Sequence, residues 1–551
     1  MGYVDDTEKR IQNQDGAGIT GIIETLQSII IAFTIAFVFK HFVAEAYVIP
    51  TGSMAPTLLG AHLIARGPDS GYEFPLGPGK TDRSTGFATP IQKDITVEDP
   101  MLRSNAYRRS GKSNGPQPIH FSQSKIRMGD RIFVQRYLYA LREPRRFDVV
   151  VFKWPVDPRQ NFIKRLVGLP NETLWFADGD VFTGPPNSDA TDVFRIQRKP
   201  DYIQRAIWQP VYHSDFIPTH PGAYSPSWVP PWQSDNFDLS KRYYQSTAAD
   251  HSSITWNNNL KPINDRTNYD ESLNINSTTR ADIYAVSDIR LAANIIPDNK
   301  GMTSTIHLIA RDHEFQAIFG NGTITLRSKP LKNIAVLAEP TDWTILAETQ
   351  TSAADFPPGS PSNIEFWHVD QSLKLWINGQ LEIEALYDWD ARTRLIVATN
   401  LDPLSPEASP TYGNQYQNPR YKANPPEIIW DFNNSPVTLH HVELDRDLYY
   451  RPTTYYREGS KPALGTHPDN LAHLEKNQFF MCGDNSPASN DGRTWNQPSP
   501  WVHYLFHNGR GIVPRELVLG KAFFVYYPSP EGLSETGTRF IPNFGQMRLI
   551  R

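Results

Sequence analysis

Residues 146–170, RFDVVVFKWPVDPRQNFIKRLVGLP, indicate a β-rich fold. The stretch holds two runs rich in Val, Ile and Phe, residues 148–152 and 162–167, with Pro and Asp residues between them. Runs of this length and composition between turn residues are typical of β-strands. Lys164 lies inside the second run, where apolar neighbours would disfavour its ammonium form and lower its pKa. The stretch therefore predicts sheet strands and a lysine that can accept a proton.

Composition supports the same fold class and excludes some functions. The 551 residues include 46 prolines, 12% aromatics and 39% hydrophobics, a mixture that favours a mostly β protein over a helix bundle. Lys plus Arg number 54 against 59 Asp plus Glu, and a net charge of −5 argues against a general nucleic-acid binder. Cys482 is the only cysteine, so an intrachain disulfide and a cysteine-based zinc site are excluded.

An apolar segment near the start predicts a membrane anchor. Residues 22–39, IIETLQSIIIAFTIAFVF, stand out in a chain whose mean hydropathy is −0.48, and with their flanks they are long enough to cross a bilayer. We predict an N-terminal tail over 1–20 and a retained transmembrane helix over 21–44. A buried core helix and a secretory signal cleaved after Ala44-Glu45-Ala46 are the alternatives. Acidic residues in the tail, and Lys40 before that site, favour the anchor.

A candidate nucleophile follows the apolar segment in residues 49–58, IPTGSMAPTL. Gly52 allows the backbone turn that would present the Ser53 hydroxyl. A serine needs a base, and none of the histidines lies in an apolar strand comparable to that of Lys164. Ser53 and Lys164 together would form a serine–lysine dyad. A turn serine and a surface lysine are the alternatives. Residues 481–493, MCGDNSPASNDGR, add a loop dense in hydrogen-bonding side chains.

Taken in order, these segments resemble the bacterial type I signal peptidases of the leader-peptidase family. The resemblance runs through residues 50–58, 129–132, 146–152, 163–170, 483–493, 513–516 and 520–522, and covers under half of the chain. It implies a membrane-anchored serine endopeptidase with a signal-peptidase-type β catalytic fold. Its partners would be the lipid bilayer and the signal peptides of exported preproteins, cut after small residues at A-x-A-like sites. It implies no metal or organic cofactor and no nucleic-acid partner.

The resemblance also assigns roles by position. Ser53 would be the nucleophile, Lys164 the general base, and the Ser53 N–H with the Thr51 hydroxyl the oxyanion donors. Residues implied to support the dyad are Ser489, Arg165, Asp491 and Arg493. Residues implied to form the shallow substrate pockets, or else plain core, are Tyr47, Ile49, Leu58, Phe162 and Ile163. The chain departs from the family at Gly492, where a serine is common, which leaves the local loop geometry open.

The signal-peptidase-like segments flank a long middle. We predict a first catalytic part over 45–186, a Pro/Trp-rich connector over 187–240, an inserted sandwich over 241–445, and a second catalytic part over 446–551. Residues 284–291 and 372–379 resemble the laminin-G or concanavalin-like jelly rolls. That resemblance implies a glycan or cell-envelope ligand, with Trp367 and Trp376 as stacking platforms. A spacer or partner-docking sandwich with buried tryptophans is the alternative.

Together with the mostly β composition and the apolar segment, the resemblance implies a single-pass signal peptidase whose catalytic domain lies on the outer face of the bacterial cytoplasmic membrane. The alternative function is a membrane-tethered glycan- or partner-binding protein that uses the insert on a protease-derived scaffold. Intact Ser53 and Lys164 favour the peptidase. We also expect the insert to be dispensable for peptide-bond cleavage. Asp288 and Asp370 are carboxylates that would suit calcium, although no loop there has a defined ligand spacing.

Overall fold

The computed structural model describes most of the chain. The described residues are 21–35, 37, 45–77, 95–103, 119–121, 126–223, 227–270, 283–332, 340–408, 422–452, 463–529, 531–532, 540–541 and 543–551. Residues 21–35 form a helix, α1, and none of the helices within these ranges combines the length and apolar character needed to cross a membrane. The predicted tail, Lys40, Ala44 and most of residues 36–44 lie outside the described residues, so the anchor stays a prediction.

The strands are numbered β1 to β33 along the chain, and the eight-stranded catalytic sheet is built from both outer parts of the sequence. Its spatial order is β1 (Glu45–Val48), β6 (Arg131–Gln135), β30 (Val518–Tyr527), β7 (Val149–Lys153), β8 (Asn161–Gly168), β28 (Gln478–Cys482) and β29 (Ile512–Pro514), with β33 (Arg548–Leu549) beside β30. The two predicted strands are β7 and β8, which pair antiparallel with Val150 opposite Lys164. A mostly β fold is confirmed.

A four-stranded sheet and three hairpins complete the region around the catalytic sheet. The sheet has the order β11 (Arg195–Ile196), β10 (Asp180–Gly184), β9 (Glu172–Ala177) and β27 (Ala472–Leu474). The hairpins pair β2 (Leu63–Arg66) with β3 (Glu73–Leu76), β4 (Ile95–Val97) with β5 (Ile119–Phe121), and β31 (Glu531–Gly532) with β32 (Phe540–Ile541). Strand β27 comes from the second outer part of the chain and β9 from the first, so this sheet too joins the two parts.

The middle of the chain forms two large antiparallel sheets packed over one apolar core. One has the order β14 (Phe237–Asp238), β15 (Tyr243–Ser246), β26 (Val437–Arg446), β17 (Ile289–Pro297), β22 (Ser362–Val369), β23 (Ser372–Ile377) and β24 (Gln380–Leu386), with β12 (Gln209–His213) beside β26. The other has the order β13 (Trp232–Gln233), β16 (His251–Trp256), β25 (Glu427–Asn433), β18 (Thr303–Ala310), β19 (His313–Gly320), β20 (Thr323–Pro330) and β21 (Thr344–Gln350). Both sheets contribute to the same buried cluster, for example through Leu375 and Trp430.

Residues 187–240, predicted as a connector, contain strands that pair with the sandwich. Strands β12, β13 and β14 lie within 187–240, and each pairs with a strand of the sandwich. The sandwich sheets therefore begin before residue 241. The pairs at β13 and β14 are only two residues long and interrupted by Pro and Ser, so they carry no apolar alternation that the sequence could reveal. The division into domains remains a prediction.

The remaining helices are short. They are α2 (Leu138–Leu141), α3 (Asp201–Ile207), α4 (Ala391–Thr399) and α5 (Pro500–Phe506). Asp390 caps α4 by accepting a hydrogen bond from the Thr393 N–H, and Asn400 ends that helix in the left-handed conformation. Two 3-10 helices matter for the site, Gly52–Met54 and Asn268–Asp270.

Candidate active site

Ser53 lies in the 3-10 helix that follows β1. The turn follows β1, the edge strand of the catalytic sheet, and 9% of the surface of Ser53 is exposed. Asn485 fixes its backbone, since the Asn485 N–H donates to the Ser53 carbonyl oxygen at 3.1 Å. Packing requires glycine at position 52, because a Cβ atom there would lie 2.0 Å from the ring of Tyr269. The serine hydroxyl is thus presented from a tightly held backbone.

Lys164 reaches this serine from the middle of β8. Its Nζ lies 2.7 Å from Ser53 Oγ and 3.0 Å from the Ile163 carbonyl oxygen, and the residue is 3% exposed. Burial lowers the pKa of Lys164 to about 8, against the opposing attraction of the Asp491 and Asp484 charges. A lysine with a pKa of about 8 is about one-tenth neutral at pH 7, a far larger neutral fraction than that of a lysine with the usual pKa. Its amine can then accept a proton from the Ser53 hydroxyl.

Two arginines balance the carboxylates near the lysine. Arg165 binds Asp484 through two hydrogen bonds of 2.8 and 2.6 Å, and the Thr57 hydroxyl donates to the same carboxylate at 2.5 Å. Arg493 binds Asp491 in the same bidentate way, at 3.0 and 2.8 Å. Burial raises the pKa of Asp491, but the charge and hydrogen bonds of Arg493 outweigh it, and the net shift is downward. With each acid held by its own arginine, neither forms an ion pair with Lys164.

The structure places the other predicted supporting residues as follows. Ser489 is fully buried beside Gly483, where an added Cβ would lie 2.3 Å from Ser489 Oγ and 2.4 Å from the Ser53 carbonyl oxygen. In the described part of the chain, the hydrogen bonds of Lys164 Nζ go to Ser53 and Ile163 and none goes to Ser489. Thr51 precedes the Ser53 turn, and its hydroxyl is not used to cap that turn. The oxyanion role of Thr51 and the orienting role of Ser489 stay predictions.

The predicted pocket residues fall into two groups. Ile49 and Leu58 are fully buried in an apolar cluster with Ile132 and Val149, which favours the plain-core alternative for both. Tyr47, Phe162 and Ile163 are partly exposed, and they remain candidates for contact with a substrate. The Tyr47 hydroxyl donates to Glu45 at 2.7 Å, the Phe162 ring stacks on Trp154 at 4.8 Å, and Ile163 packs against the Ile49 cluster.

Sequence reasoning missed several residues that hold the site together. Asp484 and Asn485 lie in the quoted 481–493 loop, which was predicted to contain hydrogen-bonding side chains. The sequence did not indicate which residues they bind. Tyr269 and Asp270 carried no signal at all. They lie in the segment predicted as the insert, yet Tyr269 packs on Gly52 and Asp270 accepts a hydrogen bond from Asn485. These contacts bear on the expectation that the insert is dispensable for peptide-bond cleavage, which stays a prediction.

Of the two tryptophans suggested as glycan platforms in the insert, one is corrected by its burial. Trp367 is fully buried, and the Arg205 guanidinium lies 4.7 Å from its ring centroid and 4.2 Å from that of Trp376. The buried Trp367 ring cannot stack on a sugar, whereas Trp376 is partly exposed and its role stays a prediction. Asp288 and Asp370 are likewise engaged, the first with Arg311 at 2.7 Å and the second with Lys199 at 2.5 Å. Cationic side chains thus already satisfy the carboxylates that were considered for calcium.

Comparison with known proteins finds similarity to signal peptidases in two segments of the chain. The family model described as "Signal peptidase, peptidase S26" matches residues 117–190 and 423–527. Signal peptidase I of Pseudomonas fluorescens is 39% identical over 84 residues, covering 15% of this chain and 26% of that protein. Signal peptidase I of Aquifex aeolicus is 43% identical over 59 residues, covering 11% of this chain and 23% of that protein. The chain thus spans about a quarter of the length of these curated relatives.

Among solved structures, a carbohydrate-binding module, CBM66, from Bacillus subtilis is similar over 39% of this chain and 95% of that one, with 10% identity and a TM-score of 0.21. A laminarinase from Rhodothermus marinus is similar over 44% of this chain and 98% of that one, with 8% identity and a TM-score of 0.24.

Proposed function

We propose that this chain, which carries a signal peptidase domain of peptidase family S26 in two separate segments, is a serine endopeptidase that removes signal peptides from exported preproteins. The observation that carries the proposal is the 2.7 Å approach of Lys164 Nζ to Ser53 Oγ in a buried setting. A serine hydroxyl and an amine of lowered pKa at hydrogen-bond distance are the two groups that a serine–lysine peptidase requires. Similarity to curated signal peptidases supports the substrate class.

The chemistry follows from the positions of these two groups. Ser53 Oγ attacks the scissile carbonyl carbon while its proton moves to the neutral Lys164 amine. The Ser53 N–H and the Thr51 hydroxyl would stabilise the resulting oxyanion, and each such donor is worth about 2.7 to 4 kcal/mol of transition-state stabilisation. The Lys164 ammonium then gives its proton to the leaving amine, which departs. Lys164 next activates a water molecule that hydrolyses the acyl-enzyme and regenerates Ser53.

Charge balance around the dyad would keep Lys164 available as a base. Arg165 and Arg493 neutralise Asp484 and Asp491, so that neither carboxylate holds the lysine in its ammonium form. Ser489 would orient the lysine amine during turnover. Tyr47, Phe162 and Ile163 would line shallow pockets that admit small side chains at the first and third positions before the cut, with Ile49 and Leu58 packed behind them.

Membrane anchoring is part of the proposal. The apolar segment 22–39 would hold the catalytic domain against the outer face of the bacterial cytoplasmic membrane, with lipid and preprotein as partners. Its described helical part supports this, since Ile22, Ile30 and Phe33 are 62%, 62% and 73% exposed. Exposed apolar side chains of this size on one helix favour contact with a lipid or protein partner over contact with water.

The test is incubation of the purified chain with a preprotein that has an A-x-A cleavage site, followed by mass analysis of the products. We expect a single cut after the second alanine, and no cut with Ser53→Ala. Ser70→Ala is the matched control, because Ser70 is also a buried serine but is bound to Asp99 near the β2–β3 hairpin. Cleavage by Ser53→Ala equal to that by Ser70→Ala would contradict the proposal.

A further inference from the structure

We infer that the middle segment supplies positioning residues to the active site, namely Tyr269 and Asp270. The inference rests on the proposed function and extends it: the 3-10 turn Asn268–Asp270 holds the backbone on which Ser53 sits. Neither residue belongs to the segments that match the signal peptidase family model, 117–190 and 423–527. This active site would then depend on a part of the chain that the shared peptidase domain does not contain.

Tyr269 makes the first contact, through its ring. An added Cβ on Gly52 would lie 2.0 Å from the ring Cε1 atom, and an added Cβ on Gly77 would lie 2.5 Å from the same atom. The ring is therefore packed between two glycine backbones, and it touches the residue next to the nucleophile. The Tyr269 hydroxyl donates to the Ala61 carbonyl oxygen at 2.7 Å, and the Gly77 N–H donates to the Tyr269 carbonyl oxygen at 2.7 Å. These bonds fix the ring against the Ser53 turn.

Asp270 makes the second contact, through Asn485. The Asn485 side-chain amide donates to Asp270 Oδ1 at 3.0 Å and to the Gly52 carbonyl oxygen at 3.1 Å. Its backbone N–H also donates to the Ser53 carbonyl oxygen at 3.1 Å. Asn485 thereby holds the Gly52 and Ser53 carbonyl groups, and Asp270 sets the orientation of the Asn485 amide. The Thr267 hydroxyl holds Asp270 by donating to Oδ2 at 2.9 Å.

The turn is itself tied to the sandwich, so the contacts are not those of a loose loop. The Asp265 N–H donates to the Tyr284 carbonyl oxygen at 2.9 Å, just before β17. The Arg446 guanidinium at the end of β26 donates to the Asp265 and Arg266 carbonyl oxygens at 3.1 and 3.0 Å. A rigid element thus reaches from the sandwich sheet to Gly52.

Position matters here because the dyad tolerates little displacement. Lys164 is fixed in a central strand, so a shift of the Ser53 turn by about 1 Å would lengthen the 2.7 Å contact beyond a good hydrogen bond. A misplacement of about 1 Å commonly costs about 10²-fold in rate. Because a positioning residue does not touch the substrate, its loss should lower kcat while leaving KM nearly unchanged.

The experiment measures kcat and KM for signal-peptide cleavage in Tyr269→Ala, Tyr269→Phe, Asp270→Ala and Asp270→Asn. We expect kcat to fall at least about tenfold in both alanine variants, with KM within about threefold of the parent. Phenylalanine keeps the ring and asparagine keeps an acceptor oxygen, so both should remain within about threefold of the parent kcat. Tyr244→Ala is the control: it removes a buried tyrosine from the sandwich core and should lower stability without lowering the kcat of the folded protein.

Combining a larger residue at position 52 with a smaller one at position 269 distinguishes a loss of positioning from a general loss of stability. Gly52→Ala should be nearly inactive, because its methyl group overlaps the Tyr269 ring. The double variant Gly52→Ala with Tyr269→Ala removes this overlap, and its kcat should be at least about tenfold higher than that of Gly52→Ala. The rate of Ser53 modification by a serine-reactive phosphonate probe is measured in parallel. A parent that reacts with the probe but cuts no preprotein would contradict the proposed function alone. An unchanged kcat and probe rate in folded Tyr269→Ala and Asp270→Ala would overturn the inference.

Discussion

Lys164 in the candidate active site and Lys199, which binds Asp370 and Asp447, both have buried side chains, but their pKa values shift in opposite directions. Burial lowers the pKa of Lys164 to about 8. At Lys199, burial also acts to lower the pKa, but the charges of Asp370 and Asp447 outweigh it, and the net shift is well upward. Lys199 Nζ lies 2.5 and 2.8 Å from those two carboxylates, while Lys164 Nζ contacts a hydroxyl and a carbonyl oxygen.

The difference shows that burial alone does not make a lysine a base. Acids lie near both lysines, but those near Lys164 are each held by an arginine in a bidentate pair. Those near Lys199 include two that bind the ammonium directly. In the proposed mechanism, Lys164 depends on Arg165 and Arg493 to neutralise the two nearby carboxylates. In the proposed mechanism, the same residue type serves catalysis at Lys164 and structure at Lys199.

The largest expected effect is the loss of activity when either dyad member is removed. We expect Ser53→Ala and Lys164→Ala each to lower kcat by about 10³-fold or more, and the double variant to lose no more than either single one, because nucleophile and base act as a unit. Steady-state kinetics on a signal-peptide substrate measure this, with circular dichroism to verify folding. Additive losses in the double variant would separate the two residues functionally.

Replacing Lys199 should lower the free energy of unfolding, whereas replacing Lys164 should raise it. Lys199→Met leaves Asp370 and Asp447 buried without their shared cation, and breaking such a buried pair costs about 3 to 5 kcal/mol. Lys164→Met removes an amine whose charged form is disfavoured by burial, and should raise stability at neutral pH. Denaturant unfolding at pH 7 compares the two variants. An equal loss of unfolding free energy in both variants would contradict the proposed difference between the two lysines.

Arg493 tests the charge balance itself. In Arg493→Met the Asp491 carboxylate loses its partner, so its negative charge should act on Lys164 and raise the pKa of the lysine. The midpoint of the rate increase with pH should then move upward. The pH dependence of kcat/KM in this variant, read in a folded preparation, measures the shift. A midpoint that stays in place or moves down would show that Arg493 does not control the lysine.

Treatment with thiol reagents at Cys482 should have the smallest effect on activity. The thiol is fully buried in β28, and burial with the nearby Asp491 charge raises its pKa well above the usual range. Thiolate is the reactive form, so alkylating reagents should leave the native enzyme within about twofold of its untreated activity. Intact mass after treatment reports any modification. Rapid inactivation with one adduct per chain would show that the region around Lys164 opens readily.

The sequence predicted the strands β7 and β8 and drew attention to Ser53 and Lys164, because apolar runs and the quoted boxes are local patterns. The sequence did not predict which distant residues contact the site. Arg165 and Asp484 are separated by 319 positions, and nothing in either neighbourhood indicates their pairing. Tyr269 meets Gly52 only because the sandwich carries its turn to the catalytic sheet. The strands at 232–233 and 237–238 were missed because two-residue pairs have no periodicity.

The pH dependence of kcat/KM for signal-peptide cleavage tests the central claim most directly, that a neutral Lys164 activates Ser53. A base with a pKa of about 8 is protonated below that pH, so kcat/KM should fall about tenfold for each pH unit below 8 and level off above it. Folding is monitored across the same range by intrinsic fluorescence. A flat profile between about pH 6 and 9 in folded protein, or a decline above pH 8, would contradict the account.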